Sequence, residues 1–317
     1  YVGECVAIVI ADTRHIAEDA AALVEVDWEP LPAVGDCKKA LEPDAPTVSI
    51  HVNNNLMMEM VQEYGDVDNV FKSAPHTFRE EIWQHRGSGH PIECRGAVSR
   101  YDPMQDLTTL WSSTQMPNLV QGFIIKLLGA HEDQLRVITP DVGGGFGPKF
   151  VFYSEELIVA LCSKLCGRPV KWIEDRREHF VSTVQERDQY WDAEIAVDND
   201  GLILGVRGTL IHDHGAYTIQ GITLPYNAAA CIPGPYKVPH YRMEQKLAFT
   251  NMMPCAPVRG ASHPQGTFVM ERLIDRAAYE LKMDRADIRL KNMIPGHEMP
   301  YEKPLKTRAG VNITYDS

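Results

Sequence analysis

Apolar positions along this chain alternate or cluster in short runs, and the runs predict strands and helices in mixed order. Val6-Ala-Ile-Val-Ile10 is an unbroken apolar run suited to a buried strand. Val24-Glu-Val-Asp-Trp28 alternates as a half-buried strand that Pro30 and Pro32 end. Between them Asp12 or Thr13 can cap a helix with Ile16, Ala20 and Leu23 on one face. Residues 35–63 are less periodic, and a boundary is expected near residue 60. The pattern then predicts a helix over 67–73, with strands over 77–83, 93–101 and 107–112. Pro117 opens a helix on which Leu119, Phe123, Leu127 and Leu128 recur. A strand from Leu135 and a helix from Tyr153 to Cys166 follow, and Gly167 stops that helix. Val170–Glu174 reads as a strand, and two alternating runs flank Asp198-Asn-Asp-Gly201, a strong hairpin turn. Residues 215–241, crowded with Gly, Pro and Tyr, read as a long loop before a strand over 242–250. After a second Gly/Pro-rich loop, a helix from Gly266 to Leu281 carries Val269, Leu273 and Ala277 on one face, and Asp284 opens another. Helices and mixed strands alternate without repeats, which places the chain in the α+β (mixed α/β) class.

One stretch interrupts this pattern. Asp141-Val-Gly-Gly-Gly-Phe-Gly-Pro-Lys-Phe150 lies between a predicted strand and a predicted helix. Its glycines leave backbone N–H groups bare, and the helix start beyond favours anionic or electron-rich ligand atoms. A phosphate loop needs Gly directly before the Lys, but Pro148 is there, and Phe150 takes the place of the hydroxyl. A dinucleotide fingerprint from Gly143 ends on Pro148 and fails as well. A cofactor cradle and a tight structural turn both fit.

Composition narrows the classes. At 317 residues, 44% hydrophobic and 23% charged, the chain has material for about two globular domains. A formal charge of −12 without a compensating basic block argues against a nucleic-acid surface. No apolar run approaches the ~20 residues of a membrane helix, and no signal segment is recognisable. The seven cysteines are scattered without a C-x-x-C pair, so neither a disulfide framework nor an iron–sulfur or zinc site is indicated. Cys162 and Cys166 are expected as buried thiols, and a reducing, cytoplasmic setting fits.

Three polar stretches are candidates for binding. Gln115, where a strand ends and a helix starts, offers both donor and acceptor, or is a solvated loop amide. Arg259, in the second Gly/Pro-rich loop, can grip an anionic oxygen bidentately, or is an ordinary surface arginine. His212 and His214 share one face of a strand, but no third ligand stands at motif spacing, and structural roles fit them better than a metal. Glu80-Glu81 and Glu174–Glu178 read as solvated faces or ion pairs.

Taken together, Trp111-Ser-Ser-Thr-Gln115, Pro140-Asp-Val-Gly-Gly-Gly-Phe-Gly147 and Val258-Arg-Gly260 through Pro264-Gln-Gly266 closely resemble the molybdenum-cofactor subunit of the xanthine oxidase family. Aldehyde oxidases, xanthine dehydrogenases and carbon monoxide dehydrogenase belong to that family. Residues 1–60 resemble the later part of its α/β hammerhead domain, and 61–317 its first molybdenum-cofactor-binding domain. The resemblance covers nearly the whole chain.

It implies a molybdenum–molybdopterin cofactor, with the cytosine dinucleotide among its forms. The cofactor would be held by Gln115, Gly144, Gly145, Phe146, Gly147, Arg259 and Gly260, with Gln115, Phe146 and Arg259 beside the metal without ligating it. Phe150 and Ala261 would face the substrate. Purine oxidisers carry Glu and Phe at those places, so an aldehyde or N-heterocycle is the expected substrate. Gly260 stands where the copper-holding cysteine of carbon monoxide dehydrogenase would be, which disfavours CO. The family's general-base glutamate and second cofactor domain are expected outside this chain, and iron–sulfur clusters and FAD on partner chains. A second expectation stays open: a catalytically silent cofactor-binding or scaffold piece that needs another chain to complete its site.

Overall fold

The computed structural model describes residues 1–316. In chain order the elements are α1 (Arg14–Ala21), α2 (Cys37–Ala40), β1 (Leu56–Tyr64), α3 (Val67–Ser73), β2 (His76–Gln84), β3 (Gly96–Asp102), β4 (Leu107–Ser112) and α4 (Pro117–Leu128). There follow β5 (Leu135–Ile138), α5 (Ser154–Cys166), β6 (Val170–Ile173), α6 (Arg176–Ser182), β7 (Gln189–Val197) and β8 (Ile203–Gly215). The chain continues with α7 (Thr223–Cys231), β9 (Tyr241–Phe249), α8 (His263–Leu281), α9 (Arg285–Asn292), β10 (Tyr301–Lys306) and β11 (Asn312–Tyr315). These form two compact units, one from Tyr1–Pro32 and Ser88–Val184, the other from Ala33–Gly87 and the chain from Gln185 onward. The α+β class stands.

The first unit is built on the sheet β5-β4-β3-β6. Helix α4 packs on β5, and α5 packs on β3, β4 and β6. They enclose Ala97, Leu110, Val120, Ile124, Leu135, Val159 and Ala160. Each large side chain in such a core contributes roughly 1.5–3 kcal/mol of burial. Pro117 occupies the first turn of α4, where its missing N–H costs nothing, and Gly129 closes the helix in the left-handed region at φ 63°. Strands β4 and β5 are parallel neighbours, Leu110 opposite Val137. Their C-terminal ends therefore open on the same sheet edge, and the loops that leave them meet there.

The second unit carries the sheet β1-β9-β8-β7-β2, antiparallel except for β8 with β9. Asp198 closes the β7–β8 turn by accepting the N–H groups of Asp200 and Leu202 on one carboxylate oxygen at 2.9 and 2.8 Å. Helix α8 packs on β2, β7 and α7, burying Val269, Leu273 and Ala277 against Trp191, Ile195 and Met243.

Several expectations are corrected. Residues 6–10 and 24–28 form no strand, because no neighbouring strand pairs with them among the described residues. Their side chains stay outside; Val6 is 63% and Trp28 68% exposed. On α4 the buried face is Val120 and Ile124, while Phe123, Leu127 and Leu128 are exposed. That helix is apolar around most of its circumference, so spacing offered two faces and the sheet took the β-branched one. The expected loop over 215–241 contains α7, whose Leu224, Ala228, Ala229 and Ala230 are buried. Pro225 falls in its first turn, where proline is tolerated. Cys162 is only partly buried and Cys166 is exposed, because α5 turns Glu156, Val159, Ala160 and Ser163 inward instead. Strands β1, β10 and β11 lie where periodicity marked none.

Candidate functional site

In the first unit, the parallel pair β4–β5 delivers Gln115 and the glycine stretch to one place. The Gln115 N–H donates to the Lys149 carbonyl at 2.8 Å, and the Thr114 hydroxyl donates to the same oxygen at 3.3 Å. In return the Gly147 N–H donates to Gln115 Oε1 at 3.0 Å. A Cβ on Gly145 would lie 2.4 Å from both Cδ and Oε1 of Gln115, so a side chain there would displace the Gln115 carboxamide. Gly144 and Gly147 sit at φ 96° and 111°, and Phe146 between them is a non-glycine residue at φ 53°. Phe150 closes the loop, donating its N–H to the Gly147 carbonyl at 2.7 Å.

This conformation leaves donors over. The N–H groups of Gly144, Gly145 and Phe146, and the Gln115 side-chain NH2, have no hydrogen-bond partner among the described residues. All four residues are exposed or only partly buried. Several donors with no acceptor in use suit anionic or oxo-type ligand atoms.

Behind the loop lies a buried charge cluster. The Arg95 guanidinium donates to Glu174 Oε1 at 2.9 and 2.6 Å, and its backbone N–H donates to Oε2 at 2.9 Å. Burial raises the Glu174 carboxyl, but hydrogen bonds from His179 and Arg95 and the Arg95 charge outweigh it and hold the group at about 2. Cys94, Glu174 and His179 have ligand atoms within 4.8 Å of one another. Glu174 already receives Arg95, His179 and Thr183, and a guanidinium at 2.6 Å repels a cation, so no metal is assigned there. The adjoining cavity, lined by Arg95, Ser112, Thr114, Lys149, Tyr153 and Glu156, encloses about 10 Å³, room for one water and not for a substrate.

In the second unit, Gly260, Ala261 and Ser262 take φ values of 101°, 44° and 70°, three left-handed residues in succession. Such strain costs on the order of 1–3 kcal/mol for each non-glycine residue and gathers at functional loops. The Val258 N–H donates to buried Glu186 at 3.3 Å, and the Ala261 N–H donates to the Val258 carbonyl at 2.7 Å. Arg259 is exposed and makes no hydrogen bond or ion pair among the described residues. Nearby, Ser262 Oγ is buried without a partner among the described residues. His212 and His214 are fully buried, rings 6.3 Å apart, with Gln189 beside His212 Nδ1 at 3.2 Å. No third ligand atom joins them among the described residues. Sequence reasoning passed over Glu93 and gave Lys149 no role, although a lysine between Pro148 and Phe150 at a loop's end was a signal.

Residues 49–293 match the family model described as the molybdopterin cofactor-binding domain. The chain is 33% identical over 302 residues to the 6-hydroxypseudooxynicotine dehydrogenase complex subunit gamma of Paenarthrobacter nicotinovorans, covering 95% of this chain and 38% of that protein. It is 34% identical over 313 residues to the carbon monoxide dehydrogenase large chain of Hydrogenophaga pseudoflava, covering 93% of this chain and 39% of that one. The crystal structure of quinoline 2-oxidoreductase from Pseudomonas putida 86 superposes with a TM-score of 0.89 at 34% identity, over 96% of this chain and 38% of that one. The chain thus spans little more than a third of the length of these relatives. With a matching domain model, these identities and the shared architecture, the chain belongs to the molybdopterin cofactor-binding domain family, in the xanthine oxidase, aldehyde oxidase and carbon monoxide dehydrogenase group.

Proposed function

We infer that this chain is part of the catalytic large subunit of a molybdenum hydroxylase that oxidises an aldehyde or N-heterocycle C–H, with water as the oxygen source. The observation that carries the reading is the set of unpartnered N–H groups at Gly144, Gly145 and Phe146 beside the free Gln115 amide. A molybdenum–molybdopterin group, which bears oxo, sulfur and phosphate atoms, matches that donor set. When bound, it supplies oxygen transfer and accepts two electrons from the substrate carbon.

The chain's own residues bind and orient. The Phe146 N–H and the Gln115 NH2 would hold electron-rich atoms of that group, and Gly144, Gly145 and Gly147 would let the backbone come close. Gln115 keeps one orientation because its oxygen is taken by the Gly147 N–H at 3.0 Å. Arg259, on its strained loop with Gly260, offers a free guanidinium to anionic oxygen atoms of the same class of ligand. Phe150 in place of a carboxylate and Ala261 in place of a phenyl ring argue against a purine. Gly260 in place of a copper-binding cysteine argues against CO. Two of the relatives are named for 6-hydroxypseudooxynicotine and quinoline, which favours the N-heterocycle. Electrons pass on this reading to iron–sulfur and FAD partner chains. On this reading a second cofactor domain would supply the general-base glutamate, and the cytosine dinucleotide is one of the forms the cofactor would take. The hammerhead share of the chain is assigned to 1–60 and the cofactor domain to 61–317. A cytoplasmic setting is proposed; among the described residues no helix is long and apolar enough to cross a membrane.

The test is turnover of the complete complex in ¹⁸O-water with quinoline, a nicotine-type pyridine, an aromatic aldehyde, xanthine and CO. Label in the oxidised heterocycle or aldehyde is expected. Unlabelled product oxygen, drawn from O₂ instead, or turnover of xanthine or CO alone, contradicts the assignment.

A further inference from the structure

We propose that Glu93 is the positioning residue of the glycine loop: one carboxylate oxygen ties both ends of the loop and holds its free N–H groups in place. Glu93 Oε2 accepts the Gly143 N–H at 2.8 Å and the Lys149 ammonium at 2.6 Å. Gly143 is the first glycine of the loop, and Lys149 lies two residues past the last. The Lys149 side chain is 0% exposed, whereas that of Glu93 is 43% exposed. A buried ammonium requires an anion, and Glu93 is its ion-pair partner. Space agrees, because a Cβ on Gly143 would lie 2.6 Å from Glu93 Cβ.

From Lys149 the restraint reaches the binding side chain. Its carbonyl accepts from the Gln115 N–H and the Thr114 hydroxyl, and Gln115 Oε1 accepts from Gly147. Segments around residues 93, 115 and 143–149 are thereby locked in one circuit, and Gly144, Gly145 and Phe146 lie inside it with N–H groups open. Burial works against the Glu93 charge, but hydrogen bonds from Lys149 and Gly143 and the Lys149 charge prevail, so the carboxyl lies below its ordinary value. The carboxylate is ionised throughout the neutral range, as this role requires.

The proposal rests on the reading of the loop as a cofactor cradle, but its test does not need the cofactor. Amide hydrogen exchange is compared in the full chain for wild type, Glu93→Ala and the double variant Glu93→Gln with Lys149→Met. The double variant removes both charges, so no ammonium is left buried alone, and it keeps an acceptor for the Gly143 N–H. Exchange at Gly143, Gly147 and Gln115 is expected to rise tenfold or more in Glu93→Ala and to return toward wild type in the double variant, with β7–β9 unchanged. Unchanged loop exchange in Glu93→Ala overturns the proposal. An equal rise in β7–β9 overturns it too, since the residue would then act on the whole fold. If Glu93→Ala does not fold, Glu93→Leu with Lys149→Met takes its place: exchange at Gly143 at least tenfold faster than in the Gln–Met double variant supports the clamp, and equal exchange in the two overturns it. Molybdenum and pterin content of the wild-type complex is measured separately, and its absence would remove the functional reading while leaving the exchange result to judge the clamp.

Discussion

At the scale of single residues, Gln115 and Gly145 interlock, the amide filling the space a side chain on Gly145 would need. Replacing Gln115 by Ala removes a donor aimed into the site and frees the Gly147 N–H. Turnover of the assembled enzyme is expected to fall roughly 10²-fold, as when a preorganised donor is deleted from an oxyanion site. The melting temperature should stay within about two degrees, as for a change worth only a few tenths of a kcal/mol. Full activity at full metal occupancy would contradict this. Arg95→Ala strands the Glu174 charge in the interior and is expected to cost about 3–5 kcal/mol in denaturant titrations. Pairing Arg95→Met with Glu174→Met should recover most of that loss. The carboxyl at about 2 against an ordinary 4.5 stabilises the fold above pH 4.5, and this contribution is lost as pH falls toward 2. Gln115 and the glycines were legible because each stands in a contiguous motif. Glu93 and Arg95 were not, because their partners lie 56 and 79 residues away and no local pattern announces such a pair.

At the scale of elements, two helix glycines look alike in sequence and differ in the fold. On α8, a Cβ at Gly266 would lie 2.1 Å from the Ala228 carbonyl of α7. Gly266→Ala should therefore destabilise by about 1–3 kcal/mol, as overpacking does. On α4, a Cβ at Gly122 meets nothing within 4 Å, and Gly122→Ala should stabilise by about 0.4–1 kcal/mol by restricting the unfolded chain. Thermal melts of the two variants moving in opposite directions would bear out the packing of α7 against α8; both moving the same way would not. The β7–β8 hairpin was legible because alternation and Asp198-Asn-Asp-Gly201 agree. Val6–Ile10 and Val24–Trp28 show the limit of that reasoning. An apolar run or alternation states a preference for strand, but the strand itself depends on a neighbour to pair with. Helix α7 was hidden for another reason, its Ala-Ala-Ala stretch being overshadowed by flanking Gly and Pro.

For the molecule as a whole, titration of buried groups shapes stability against pH. Burial holds His214 at about 4 and His212 well below its ordinary value, with His214 and Arg86 adding to the effect on His212. Both rings are neutral in the fold, whereas the unfolded chain takes up protons near pH 6.5. Stability is therefore fully present above pH 6.5 and declines as pH falls toward 4, by on the order of 3 kcal/mol for His214 alone. Urea midpoints measured from pH 8 to pH 4 should follow that slope, and His214→Leu should flatten it; an unchanged slope in the variant would refute the assignment. The family and its fold were legible as a set of three spaced motifs. The central claim is that the Gly144–Phe146 donors beside Gln115 hold a molybdenum–molybdopterin group. It is tested most directly by measuring molybdenum and pterin in the assembled complex, wild type against Gly145→Ala. The account predicts stoichiometric molybdenum in the wild type and at least tenfold weaker retention in the equally folded variant, equivalent to about 1.4 kcal/mol. Wild-type complex without molybdenum, or a variant that retains it fully, would contradict it.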